Sequence, residues 1–179
     1  MTAAVGGPSR PQQQRPGIHP EVSRAVQLLG ELAGGTGAAL AETDNADYGA
    51  AVVRLGARRL RLRVGRVTPT KVGLFVAVWR RSPTGSTEPF PADDTDLLVI
   101  IAGEGSHAGL FLFPRSALAR HGIGSVAGAG GKRGFRVYPP WSPTGNAQAV
   151  RTQAWQGAYF LNTGEGVDLD RMRALTARR

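Results

Sequence analysis

Cysteine is absent from the 179 residues, which excludes disulfides, thiol nucleophiles and Cys-ligated zinc together. Lysine is nearly absent: Lys71 and Lys132 stand beside twenty arginines. No apolar run approaches the ~18–20 residues that span a bilayer, so no membrane insertion is expected. The first 20 residues carry Gly, Pro and Gln without an apolar stretch, so no secretory leader is expected and the chain reads as cytoplasmic. The motifs of familiar chemistry are missing as well. There is no G-x-S-x-G elbow and no HExxH, and His19, His107 and His121 lie far apart in unlike contexts. The glycine-rich stretch Gly128–Gly134 is not a nucleotide loop. Val126 stands where the first glycine of a phosphate-binding loop belongs, and Arg133 stands where its Mg²⁺-binding Ser or Thr belongs. It also lacks the G-x-G-x-x-G spacing, so no dinucleotide cofactor is expected.

Positive charge is abundant. The formal net charge is +9, and it is segregated along the chain. Residues 51–82 hold eight Arg, one Lys and no acid; residues 83–110 hold five acids and no base; residues 111–164 hold six bases and no acid. Codon bias toward Arg does not explain why acids vanish from two long stretches. A polyanionic partner explains it, and an internal contact between the basic and acidic stretches is the alternative.

Hydrophobic residues make up 41%, enough for one globular core. Residues 1–17, rich in Pro, Gln and Gly, read as a disordered tail, residues 18–163 as a single domain and residues 164–179 as a C-terminal extension. Val22, Ala25, Val26 and Leu29 recur at helical spacing from about His19 until Gly34-Gly35. Residues 52–55 and 59–67 predict a hairpin. In its second run Leu60, Leu62 and Val64 alternate with Arg59, Arg61 and Arg63, and the expectation is aliphatics inside and arginines on one outward face. Three further runs, 72–79, 97–102 and 110–113, read as buried strands. A short helix is predicted over 114–121, a strand over 135–138, and a last helix over 147–161 with Asn146 as its N-cap. The layout is α/β or α+β, with a mixed central sheet flanked by helices.

Two constellations bear on function. The first is basic and aromatic. Arg61, Arg63, Arg66, Lys71, Arg80, Lys132, Arg133 and Arg136 are candidates for phosphate contacts, with Gln153 as a polar contact, interleaved with Trp79, Tyr138, Trp141 and Trp155. Arginine pairs bidentately with phosphate, and aromatic faces stack on bases. The aromatics also suit a core role. The second is the acidic group Glu88, Asp93, Asp94 and Asp96 at the entry to a buried strand. Asp94 and Asp96 could hold Mg²⁺ or Mn²⁺ for phosphodiester cleavage, with Lys71 or Lys132 supplying positive charge. The acid-x-Lys pair of restriction-type nucleases is absent, since Pro69 and Gly130 precede the two lysines by two positions.

Three phrases, Thr68–Arg80 (TPTKVGLFVAVWR), Gly131–Trp141 (GKRGFRVYPPW) and Gln148–Phe160 (QAVRTQAWQGAYF), are similar in order and spacing to those of the MepB family of bacterial proteins. Pro89-Phe90, Asp94, Asp96 and Phe111–Pro114 extend the resemblance, which covers about residues 20–161. It implies a small α/β protein with a core like that of restriction endonucleases and other nucleic-acid enzymes. The leading functional expectation is therefore a nucleic-acid-binding protein with a degenerate nuclease-like core and no cofactor. The alternatives are a Mg²⁺- or Mn²⁺-dependent nuclease using Asp94 and Asp96, and a non-enzymatic protein whose basic patches meet an acidic protein. DNA or RNA preference and oligomeric state are left open.

Overall fold

The computed structural model describes residues 17–179, so the tail expected over residues 1–17 lies, but for Gly17, outside them. Helix α1 (Pro20–Ala33) follows its predicted period. Pro20 opens it where a missing amide hydrogen does no harm, and Gly34 ends it in the left-handed region at φ 71°. Val22, Ala25 and Leu29 form its buried stripe. Strands β1 (Leu40–Ala41), β2 (Ala51–Leu55) and β3 (Arg58–Val64) follow, and the β2–β3 hairpin is the one predicted, turning at Gly56-Ala57. Next come β4 (Arg66–Thr68), β5 (Lys71–Ala77), β6 (Trp79–Arg81) and β7 (Thr87–Pro89), and then the long strands β8 (Leu97–Glu104) and β9 (His107–Pro114). Helix α2 (Arg115–Arg120), β10 (Gly134–Val137), α3 (Ala147–Gly157), β11 (Phe160–Asn162) and α4 (Leu169–Ala177) complete the chain.

The main sheet has six strands in the order β1-β2-β3-β8-β9-β11. All neighbours are antiparallel except β3 and β8, which run parallel from Leu60 opposite Leu97 to Val64 opposite Ile101. A second, three-stranded antiparallel sheet has the order β10-β5-β4, and β6 and β7 form a separate hairpin. The architecture is thus mixed α+β. Period two along β8 builds both cores. Leu97, Val99 and Ile101 face α1 and α4 on one side, while Leu98, Ile100 and Ala102 face the second sheet and α2 on the other. Met172 and Leu175 of α4 are buried in the first core, so residues after 163 contribute to the same domain. None of the described helices is long and apolar enough to cross a membrane.

Three sequence expectations are corrected. The run 72–79 is not buried on both faces along its length: β5 ends at Ala77 and is the middle strand of the smaller sheet, with Leu74 and Val76 inward and Val72 exposed. The last helix stops at Gly157 rather than at residue 161, because Phe160 and Leu161 pair with Phe111 and Leu110 at the edge of the main sheet. The alternation in β3 is correct, but its arginine face is not outward. Arg61 is 3% exposed and Arg63 0%. A period of two says that a strand has two faces; it does not say which one meets water. Here both faces are covered, the aliphatic one by α1 and α4 and the arginine one by the segments around Ala77 and Phe90.

Candidate nucleic-acid interface

Five of the eight arginines of the first basic stretch are paired with acids of the same chain. Arg61 is boxed in by the carboxylates of Glu42 and Asp94, the latter at 2.9 Å, donates through Nε to the Thr95 hydroxyl and lies 3.7 Å over the Phe90 ring. Arg63 donates to the carbonyls of Leu62 and Ala77 and pairs with Glu42 at 2.8 Å. Burial lowers its pKa to about 10 against the opposing pull of Glu42, which leaves it charged at neutral pH. Arg59 pairs with the other oxygen of Asp94 at 2.8 Å, Arg80 with Glu88 at 2.8 Å and Arg81 with Asp44 at 3.3 Å. Two buried or half-buried acids thus tie down three arginines of β3, and the basic strand face foreseen from the sequence is an interior ion network.

The same contacts place the acidic candidates. Asp94 gives one oxygen to Arg59 and the other to Arg61. Asp96 accepts from the Arg59 backbone amide at 2.8 Å and from Arg115 at 2.8 Å. No group of three or more His, Asp or Glu that could hold a metal ion occurs among the described residues. Lys71 and Lys132 line a different cavity, with no carboxylate in its wall, so acids and lysines do not converge.

That cavity, about 480 Å³, lies where the second sheet meets α3. Lys71 comes from the start of β5, Lys132 from the loop before β10 and Arg136 from the middle of β10. The register explains their gathering: β10 runs antiparallel to β5 with Arg136 opposite Phe75, and the Arg136 guanidinium reaches back to the carbonyls of Lys71, Val72 and Gly73 and to the Thr68 hydroxyl. Gly73, at φ 80°, permits this approach, since a Cβ there would stand 2.7 Å from the Val137 carbonyl oxygen. Gln156 is fully buried and bonds β10 as a strand would, accepting from the Tyr138 amide and donating to the Arg136 carbonyl. It thereby docks α3 so that the first turn of that helix forms one wall. Asn146 caps α3 as expected, its side chain accepting from the Ala149 amide, and the amides of Ala147 and Gln148 have no acceptor within the helix. His121 stacks on Trp155 with centroids 3.7 Å apart. Burial, then the charges of Arg120 and Lys132, hold its pKa below the ordinary value. Lys71, Lys132 and Arg136 form no ion pair with any carboxylate among the described residues.

Of the remaining candidates, Arg66 is exposed and lies 5.8 Å from the Tyr48 ring centroid, and Arg133 is clamped onto the carbonyl and hydroxyl of Thr87. Gln153, on α3 itself, ties the helix to the loop before it, donating to the carbonyls of Pro139 and Ser142 and accepting from the Thr144 hydroxyl. Sequence reasoning found the three cations of the cavity but missed His121, Thr152 and the amide end of α3 as parts of the same wall. Asn146 was legible as a cap; no local signal marks His121, which stands at the C-terminal end of α2.

Comparison with known proteins adds the family. No curated protein matches the chain. A solved structure, the crystal structure of MepB, superposes with a TM-score of 0.70 at 36% identity, covering 73% of this chain and 88% of that one. The MepB-like family model matches residues 42–162, a span that holds both the ion network and every residue of the basic cavity. Sequence phrases, fold and family model agree, and the chain belongs to the MepB-like family.

Proposed function

We propose that the protein binds nucleic acid through the cavity between the second sheet and α3, with Lys71, Lys132 and Arg136 neutralising phosphates. One observation carries this reading. Three cations line one open cavity without a carboxylate in its wall, whereas Arg59, Arg61 and Arg63 of β3 are each matched to an acid. Unmatched positive charge held together by a folded scaffold suits a polyanion. Trp155 and Tyr138 add aromatic faces on which bases could stack. On this reading the mixed sheet is a restriction-endonuclease-like core in which Asp94 and Asp96 hold arginines in place of metal ions.

The test is fluorescence anisotropy of labelled duplex DNA, single-stranded DNA and RNA across a salt series. Binding at ~50 mM salt should weaken with a log–log slope of about −0.9 per duplex phosphate neutralised, or about −0.7 for a single strand. Lys71→Ala with Lys132→Ala should flatten the slope by about 1.4 to 1.8. Absence of binding to all three probes at ~50 mM salt refutes the proposal, and so does an unchanged slope in the double variant. Capture of an acidic protein that survives nuclease treatment, alongside no binding to the probes, would replace it with a protein partner.

A further inference from the structure

The geometry points to a nucleoside phosphomonoester as the ligand of the basic cavity: the phosphorylated end of a strand, rather than the diester backbone along it. This rests on the nucleic-acid reading above and narrows it.

Shape is the first argument. A cavity of about 480 Å³ falls in the ~300–1,000 Å³ range of small-ligand sites, which admit one nucleotide. A duplex backbone is met by an extended surface, and the extended basic strand that would have supplied one, β3, is buried. Charge is the second. Each backbone diester brings a single negative charge, whereas a phosphomonoester carries about −1.5 to −2 at pH 7. Lys71, Lys132 and Arg136 face the cavity with no carboxylate to offset them, and Asn146, Gln148 and Ala149 at the positive, N-terminal end of α3 form part of the same wall. Such a surplus is matched by a dianion better than by a monoanion. Chemistry is the third. The wall is not uniformly basic: Tyr138, Thr152 and the Trp155–His121 stack stand beside the cations, so a sugar and base attached to the phosphate find polar and aromatic partners. Free inorganic phosphate would leave that half of the cavity unused.

The experiment compares four probes against the whole protein at fixed salt: a short single strand with a 5′-phosphate, the same strand with a 3′-phosphate, the same strand with hydroxyls at both ends, and a circular single strand. A 5′-mononucleotide serves as competitor. One phosphorylated strand should bind about tenfold or more tighter than the hydroxyl-ended strand, the gain expected of charge-assisted hydrogen bonds to an additional charge. The mononucleotide should displace it, which shows that the nucleotide unit suffices and does not need the strand. Lys132 is exposed and makes no side-chain hydrogen bond among the described residues, so Lys132→Ala should fold normally and erase the preference. Arg151→Ala, a charge removed from α3 outside the cavity, should keep it. Equal binding of circular, hydroxyl-ended and phosphorylated strands would overturn the inference while leaving nucleic-acid binding intact. Failure of every probe to bind would overturn both.

Discussion

Glu42→Ala tests whether the buried ion network is what holds β1, β3 and β8 in place. The Glu42 carboxylate, 24% exposed, joins Arg61 and Arg63, which are 3% and 0% exposed in their side chains. Arg61 retains Asp94 when Glu42 is removed; Arg63 retains only the carbonyls of Leu62 and Ala77. Glu42 raises the Arg63 pKa against the effect of burial, so its removal takes away that support and leaves the guanidinium as a buried charge without its carboxylate. Breaking a buried pair by removing one partner costs about 3–5 kcal/mol. For a chain of this length 1 kcal/mol corresponds to roughly 2–4 °C in Tm, so the midpoint should fall by about 6–20 °C. Urea unfolding followed by tryptophan fluorescence and far-ultraviolet circular dichroism measures the change by linear extrapolation. The companion variant Glu42→Leu with Arg63→Met removes both charges, and it should recover most of the loss, since apolar replacement of a buried pair is often neutral or stabilising. A single-variant loss below about 1 kcal/mol would place the pair among surface ion pairs and refute the reasoning. A double variant as unstable as the single one would also refute it.

Gln156→Leu leaves the Arg136 carbonyl and the Tyr138 amide without their partner, and should cost about 1–3 kcal/mol for each unsatisfied group while weakening anion binding, read by urea unfolding and anisotropy. Gly109→Ala would set a Cβ 2.2 Å from the Phe160 ring and 2.8 Å from the Leu161 carbonyl oxygen, and should destabilise by about 1–3 kcal/mol; Gly145→Ala, with open space around it, should stay within about 0.5 kcal/mol in the same assay. His121 has a lowered pKa when folded, so its stabilising contribution is present above the unfolded value near ~6.5 and is lost as pH falls through the folded pKa. A bound phosphate favours the imidazolium, while the phosphomonoester's own second ionisation near ~6 lowers its charge over the same range, so wild-type nucleotide affinity should exceed that of His121→Gln increasingly as pH falls; a ratio of the two affinities that does not change with pH would exclude His121 from the binding wall.

Much of the fold was legible because local patterning and burial agree along its main elements. Leu97–Ala102 and Leu110–Phe113 are unbroken apolar runs, and they form the two strands whose faces separate the cores. Asn146 and Gly34 carry cap chemistry that works without knowledge of the tertiary structure. The misplaced end of α3 shows the limit. Tyr159 and Phe160 continue a helical apolar spacing, yet the edge of β9 takes Phe160 into a strand, and only the sheet decides that. The basic cavity divides in the same way. Lys71, Lys132 and Arg136 were recognisable as charge without acid nearby in sequence, whereas His121 and the end of α3 join them only through the pairing of β10 with β5 and the buried amide of Gln156.

The distribution of charge explains why most arginines of the first basic stretch are paired within the fold while Lys132 and Arg136 of the second are not. Residues 83–110 supply Glu88, Asp94 and Asp96, which lie against Arg80, against Arg59 and Arg61, and against Arg115, so the acidic stretch neutralises mainly the basic stretch before it. Parallel pairing of β3 with β8 makes this unavoidable: Leu60 stands opposite Leu97, so the turn leading into β8, which carries Asp94 and Asp96, meets the start of β3, which carries Arg59 and Arg61. The second basic stretch reaches β5 instead, through β10, and its side of the small sheet carries no acidic turn. Reversing the sign at Lys132 should therefore alter binding without touching stability, while reversing it at Arg61 should unfold the protein before binding can be measured. Urea midpoints and anisotropy on Lys132→Glu and Arg61→Glu separate the two. If Arg61→Glu keeps the wild-type midpoint, burial and ion pairing are not what its guanidinium does, and the division between structural and free charge fails.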